Sequence, residues 1–336
     1  MSLVYNNVHE IRKKERQQSI KVTLILSSML ILVSLLALMM GNTNYSLETV
    51  IRVIAGEEVS GATFTILRLR VPRVLAGLFA GAAFGIGGAI FQRMMRNPLA
   101  SPDILGITSA SSMATVYCLI ILNLSGQQTS ALSIATALIV TISIYALAQV
   151  KGFSIDKLVL IGIGTQAVMR SVISYMLLKA NVNDMPSVLR WLNGSLDGIS
   201  LTNTYLLITV IIIGIPVLTF LGKELNVLEL GQEMATTLGL QVTKVRMMIL
   251  VLAVFLIAVA TAVTGPIAFV SFLAGPIAIR TRTQSIFIPA LVGAVLVMGC
   301  DLIGQVVMPY NVPVGVVTGI IGAPYLIFLL VKGKKE

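Results

Sequence analysis

The chain is poor in the residues that build soluble surfaces and reactive sites. Charged residues are 11% of its 336 positions, against about a quarter in ordinary soluble domains, so it cannot clothe a globular surface in charge. Histidine occurs once, at His9 in the polar N-terminal stretch. That excludes a histidine-based triad, a His/Cys metal cluster and histidine ligation of haem at membrane depth. Cysteine occurs twice, as Cys118 and Cys300, each inside an apolar run and without metal-ligand spacing. A disulfide framework is not expected. The chain has no Walker-type phosphate loop, and no paired carboxylates or activated nucleophile gather at the ends of its apolar runs. The sequence offers neither catalytic residues nor a metal site, and any ATP hydrolysis that drives it belongs to another polypeptide.

What is abundant is apolar. Hydrophobic residues are 56%, glycines number 28, and mean hydropathy is +0.94. A bilayer-crossing helix needs about 20 mainly apolar residues. Ten segments qualify: 22–40, 72–92, 106–123, 131–150, 158–178, 202–221, 246–264, 268–279, 286–306 and 314–331. The eighth is short, and Gly265-Pro266 and Gly275-Pro276 flank or interrupt it, so a broken or re-entrant element is expected there. The first run exceeds a signal-peptide core and no small-residue cleavage site follows, which reads as an uncleaved signal that stays as the first span.

The net charge of +10 comes from 24 Lys and Arg against 14 Asp and Glu. In a soluble protein this excess would raise nucleic acid as a partner; here it fits loops that hold the chain in the bilayer, and no nucleic acid is expected. Ten alternating spans with the N-terminus inside place 17 basic residues on the cytoplasmic side and 6 outside, with Arg170 left within a span. So strong a bias predicts both termini cytoplasmic. The expected organisation is all-α and polytopic: a tail over 1–21, one transmembrane domain over 22–331, and a second tail over 332–336.

Two loops exceed tight turns. The outer loop 41–71 predicts a short amphipathic helix from Ser46 to Ala55, with Ser46 as N-cap. The inner loop 222–245 predicts a short helix bracketed by Gly231 and Gly239, with Met234 and Leu238 on one face, and a second running from Thr243 into the next span. This is either a docking platform or an ordinary interfacial loop. Gly77, Gly81 and Gly85 fall at steps of four and predict close helix packing, while Asn97-Pro98 marks a helix stop. Arg170 and Asp301 are the charges within spans, where charge is costly; they are candidate partners of each other.

Several stretches resemble the FecCD family of permease subunits from bacterial ABC importers. Arg70-Val71-Pro72-Arg73-Val74-Leu75 is similar to its opening motif, and the stretch from Gln92 to Gly106, with Arg96-Asn97-Pro98-Leu99-Ala100-Ser101-Pro102, to its signature. Trp191-Leu192-Asn193-Gly194-Ser195 resembles its Trp-x-x-Gly-Ser motif, Leu225 to Leu240 its coupling region, and Pro313 to Pro324 its C-terminal signature. The resemblance implies a type II importer fold. Two permeases, the same or related chains, enclose the path; two ATPase subunits, which use ATP and magnesium, dock inside; an extracytoplasmic binding protein delivers ferric siderophore, with haem or cobalamin as alternative cargo. It also places the protein in the bacterial cytoplasmic (inner) membrane. No cofactor is expected on this chain itself. The implied ATPase contacts are Glu229, Gly231, Glu233, Ala235, Leu238 and Gly239, the acidic pair facing a basic patch. The implied binding-protein contacts are Arg52, then Arg68 and Arg70. Gly77, Gly81, Gly85, Asn97, Pro98, Pro276 and Pro324 take structural roles. The chain departs from the family where Gly275-Pro276 replaces a Pro-His step, where Gly304-Gln305 replaces Ala-Arg after Asp301, and where Asn311-Val312-Pro313 replaces Glu-Leu-Pro. These departures favour a siderophore cargo over cobalamin. An ion-coupled carrier working alone, and a membrane scaffold that transports nothing, are the readings from other classes.

Overall fold

The structure, a computed structural model, describes residues 2–124, 126–150, 152–279, 285–308 and 310–332. Arg280, Arg282, Lys151 and the tail from 333 onward, all used in the charge count, lie outside the described residues. The chain is helical, in the order α1 (Ser2–Met39), α2 (Leu47–Ile54), α3 (Val71–Met95), α4 (Ile107–Ile120), α5 (Gln127–Gln149), α6 (Ile155–Lys179), α7 (Met185–Leu192), α8 (Leu201–Phe220), α9 (Gly222–Glu229), α10 (Gln232–Thr237), α11 (Val242–Thr264), α12 (Val270–Ile279), α13 (Phe287–Val306) and α14 (Val314–Lys332). Among the described residues seven helices are long and apolar enough to cross a membrane, and α4, α12 and α14 are shorter apolar helices. Together they coincide with the ten expected segments. This is a multi-pass membrane protein.

From Ser2 onward the tail expected over 1–21 is helical and continuous with the first span. Ser46 caps α2, its hydroxyl accepting from Thr49 N at 3.2 Å. A π-helical turn, Thr65–Arg70, leads into α3, and a 3₁₀ turn, Pro102–Leu105, leads into α4. Neither turn, nor α7, is predicted from the sequence.

Burial sorts the helices into a centre and a rim. In α3, 78% of the most apolar window is buried, against 6% in α1. α3 is central because it is rich in glycine and alanine, so neighbours approach its backbone closely. It packs on α11, α12 and α13. A Cβ at Gly81 would lie 2.6 Å from Ala294 Cα, and one at Gly77 would lie 2.9 Å from a Leu196 methyl. Gly85 abuts the carbonyl of Pro289, and Gly293 of α13 returns the contact against Gly81. Without a hydrophobic drive between helices in lipid, such dispersion contacts hold the bundle. At its end α3 stops on left-handed Arg96 (φ 49°), and Asn97 Oδ1 accepts from Leu99 N at 2.9 Å.

The segment between α11 and α12 is not helical. Gly265 (φ 72°) and Phe269 (φ 65°) turn the chain, and its carbonyls find partners in the protein: Gly265 O accepts from Thr264 Oγ1 at 3.0 Å, Ala268 O from Val270 N at 2.9 Å and Phe269 O from Leu273 N at 2.8 Å, while Ser195 N donates to Thr264 O, at the end of α11, at 2.8 Å. Irregular backbone at membrane depth needs such burial. In α12, Pro276 is buried and Gly275 leaves room for Gln92 of α3. The Gln92 amide, 2% exposed, donates to Phe272 O at 2.9 Å. α14 contains Pro324 on an exposed face.

Candidate functional site

Between α8 and α11 the chain builds a small two-helix platform. Leu225 and Leu228 anchor α9 in the core, and Ala235, fully buried, seats α10. The link between them is Gly231 at φ 104°, and Gly239 at φ 83° ends α10. Both lie in the left-handed region where glycine is favoured. A Cβ at Gly231 would also come within 3.2 Å of Arg96 Nη1. Leu230, Met234 and Leu238 are exposed at 60%, 53% and 60%. An apolar trio on a polar turn at the end of a membrane bundle is the surface expected of a protein contact.

The platform is tied to α3. Arg93 donates from Nε to Glu229 and from Nη2 to Asn226. Of the two carboxylates expected to face a partner, Glu229 is therefore paired within the chain. Glu233 is exposed and makes no ion pair among the described residues.

At the opposite end, Arg52 sits on α2 with its side chain 48% exposed. Its Nε donates to Glu57 Oε2 at 2.7 Å, and Glu48 lies 3.9 Å away. The hydrogen bond from Arg52, followed by its charge, holds the Glu57 carboxyl below the usual carboxylate range. Arg68 is exposed. Arg70 is not available in the same way: it is buried, donates to Leu38 O at 2.7 Å and to Thr43 O, and stacks 4.9 Å from the centre of the Tyr45 ring. Its donors are engaged by the end of α1 and the loop that joins α1 to α2.

The suggested Arg170–Asp301 partnership is not formed. Asp301, 2% exposed, receives two parallel hydrogen bonds from Arg73 of α3, Nε to Oδ2 and Nη2 to Oδ1, each 2.9 Å. Gln305 Nε2 donates to the same carboxylate at 2.7 Å. Arg73 also reaches Asp197 at 3.4 Å, which Arg190 of α7 contacts at 3.1 Å. A buried carboxylate takes the nearest cation able to present a matching fork, and Arg73 is carried to it by α3–α13 packing. Gln305, standing where the family pattern has arginine, completes the group. Arg170 instead lines a half-open recess of about 440 Å³ between α4, α6 and the start of α14.

A match to the model of the FecCD transport family runs over residues 29–332. The chain belongs to the FecCD transport family. Among its relatives, the ferric enterobactin transport system permease protein FepG of Escherichia coli is 33% identical, over 93% of this chain and 96% of the relative. The Fe(3+)-citrate import system permease protein YfmE of Bacillus subtilis is 32% identical, over 94% and 96%. A solved structure described as an inward-facing conformation of a metal-chelate type ABC transporter superposes with a TM-score of 0.82 at 22% identity, over 93% of this chain and 99% of that one. The fold is that of an ABC transporter permease.

Sequence reasoning missed three members of this FecCD chain's polar framework: Arg73 as the partner of Asp301, Arg93 as the partner of Glu229, and Gln92 in the space left by Gly275. Arg73 stood in a quoted motif, beside a proline that begins a helix, but its partner is 228 residues away. No local signal gives that pairing.

Proposed function

We propose that this chain is the permease subunit of an ATP-driven importer that carries a ferric siderophore across the bacterial cytoplasmic membrane. The observation that carries the reading is the α9–α10 platform: an exposed apolar trio with a free carboxylate, fastened by Arg93 to the most deeply buried of the long helices of a FecCD chain. Its relatives' names supply the cargo class, since one transports ferric enterobactin and another imports Fe(3+)-citrate.

On this reading the end bearing the platform and both termini is cytoplasmic. An ABC ATPase subunit docks there, Met234, Leu238 and Glu233 forming contacts. Gly231 and Gly239 shape the surface, Glu229 ties it to α3, and Ala235 seats it. ATP and magnesium are used by that partner, two copies of which serve a pair of permeases, the second being the same or a related chain. This chain carries out no covalent chemistry and holds no cofactor. A binding protein delivers cargo at the α2 end, where the exposed arginines Arg52 and Arg68 can meet carboxylates. Closure of the ATPase pair pulls on α9 and α10, Arg93 passes the movement to α3, and the path changes the side to which it opens.

The test is reconstitution of the chain with the ATPase and binding protein encoded beside it, followed by uptake of ferric siderophores, haem and cobalamin into vesicles. ATP-dependent uptake of a ferric siderophore is expected. Uptake of haem or cobalamin alone would reassign the cargo, and absence of ATPase association would remove the reading.

A further inference from the structure

Arg170 sits near the middle of α6, with more than two helical turns on either side. Charge at that depth is costly unless it is paired or faces water. Elsewhere the chain follows this rule. Arg73 is paired with Asp301, Arg93 with Glu229, Arg70 with carbonyls and a ring, and Arg246 lies 4.2 Å over the Phe153 ring. Arg170 is exposed and makes no ion pair within 4 Å among the described residues.

Its surroundings are also unlike a lipid-facing surface. The recess it lines is walled by Thr108, Ser109 and Ser112 from α4 and by Gln166 and Ser174 from α6. The acid on the same wall is already engaged: Asp103 Oδ1 accepts from Thr108 Oγ1 at 3.0 Å and Oδ2 from Ser101 Oγ at 3.4 Å, while Gln166 Nε2 donates to the Asp103 backbone carbonyl at 3.2 Å. The recess therefore presents one guanidinium that feels the Asp103 charge but makes no ion pair within 4 Å, among hydroxyl and amide groups and the apolar Ile173, Leu192 and Ile267. A guanidinium so placed matches oxygen anions, which it grips with paired donors.

We infer that Arg170 is a cargo-selecting residue: its guanidinium engages the anionic oxygens of a carboxylate- or catecholate-bearing ferric chelate during passage, and an uncharged chelate passes without its help. This rests on the reading of the chain as a chelate permease. A single contact that must also release its cargo should be worth a modest factor, about tenfold in rate.

The experiment uses the complete transporter in vesicles of zwitterionic phosphatidylcholine, with wild type, Arg170→Gln, Arg170→Met and Arg170→Lys compared on each cargo. The probes are an anionic ferric tris-catecholate, ferric citrate and an uncharged ferric tris-hydroxamate. Arg170 is exposed, and Asp103, which loses the Arg170 charge in the neutral variants, keeps its hydrogen bonds from Thr108 and Ser101; monodispersity and melting temperature check each protein. Arg170→Gln and Arg170→Met are expected to slow anionic uptake about tenfold, Arg170→Lys, which keeps the charge and loses the paired donors, about threefold, and uptake of the hydroxamate, where carried, to change less than about twofold. Unchanged anionic uptake in the neutral variants overturns the inference, as does an equal fall in all three variants or wild-type uptake confined to the uncharged probe. A wild type that carries no chelate counts against the permease reading itself. If anionic phosphatidylglycerol raises the melting temperature of wild type but not of Arg170→Gln, with uptake equal in both, the partner is a lipid headgroup and the cargo role falls.

Discussion

Adding one methyl group at Gly81 should loosen the whole bundle, and the same addition at Gly299 should not. At Gly81 the new Cβ would lie 2.6 Å from Ala294 Cα and 2.6 Å from Gly293 O. Ordinary contact begins at 3.4 Å, so α3 and α13 must part by about 0.8 Å or bend, and both obstacles are backbone that cannot rotate away. Overpacking of this kind costs about 1–3 kcal/mol. Alanine recovers about 0.5–1 kcal/mol of helix propensity over glycine; with immovable backbone on both sides the upper part of the overpacking range applies, and Gly81→Ala should lose about 2 kcal/mol net. Gly299, in α13 itself, would place its Cβ with nothing within 4 Å, and Gly299→Ala should be neutral or slightly stabilising. Thermal unfolding of the purified protein, followed by the loss of monodisperse material, measures both. Equal melting temperatures for Gly81→Ala and wild type, or a fall as large in Gly299→Ala, would refute the claim that backbone contact between α3 and α13 holds the centre.

Other outcomes follow from the polar framework. Asp301→Ala leaves Arg73 in a largely buried place without its fork, and should destabilise by about 3–5 kcal/mol; the double variant Arg73→Met/Asp301→Leu should recover most of the loss in the same melts. Gly275→Ala drives its methyl into the Gln92 amide and should be strongly destabilising, whereas adding Gln92→Ala should relieve the clash, so a double-mutant cycle should show coupling above about 0.5 kcal/mol. Gly231→Ala, forced to φ 104°, should strain the turn by about 1 kcal/mol and weaken co-purification of the ATPase more than it lowers the melting temperature. Arg52→Ala should reduce binding-protein capture without loss of stability, while Arg70→Ala should lower stability because its carbonyl partners lose their donor.

The ten apolar segments were readable, seven of them as helices long enough to span, because a bilayer imposes an apolarity that each segment must meet on its own. The glycine steps at 77, 81 and 85 were readable for a similar reason, since a helix repeats its face locally. The partner of that face was not. The α2 cap was legible in Ser46, and the tight turn of the platform in Gly231, because each depends on a few consecutive residues. Arg73–Asp301, Arg93–Glu229 and Gln92–Gly275 depend on which helices become neighbours. Arg70 shows the limit most plainly: a motif arginine at a span boundary looks like a surface contact until the α1–α2 loop folds over it. The short eighth segment was marked by its glycines and prolines, yet the contacts around the turn before it, Ser195 N on Thr264 O and Gly194 against the Pro266 carbonyl, come from far off in sequence.

ATP-driven uptake by vesicles holding this chain, its ATPase and its binding protein tests the central claim most directly, with Leu238→Asp in parallel. Uptake by wild type should require ATP on the platform side, and Leu238→Asp should lose both ATPase association and uptake with an unchanged melting temperature, because Leu238 is exposed. Uptake that persists without ATP and collapses when the ion gradient is removed would contradict the account and make the chain an ion-coupled carrier.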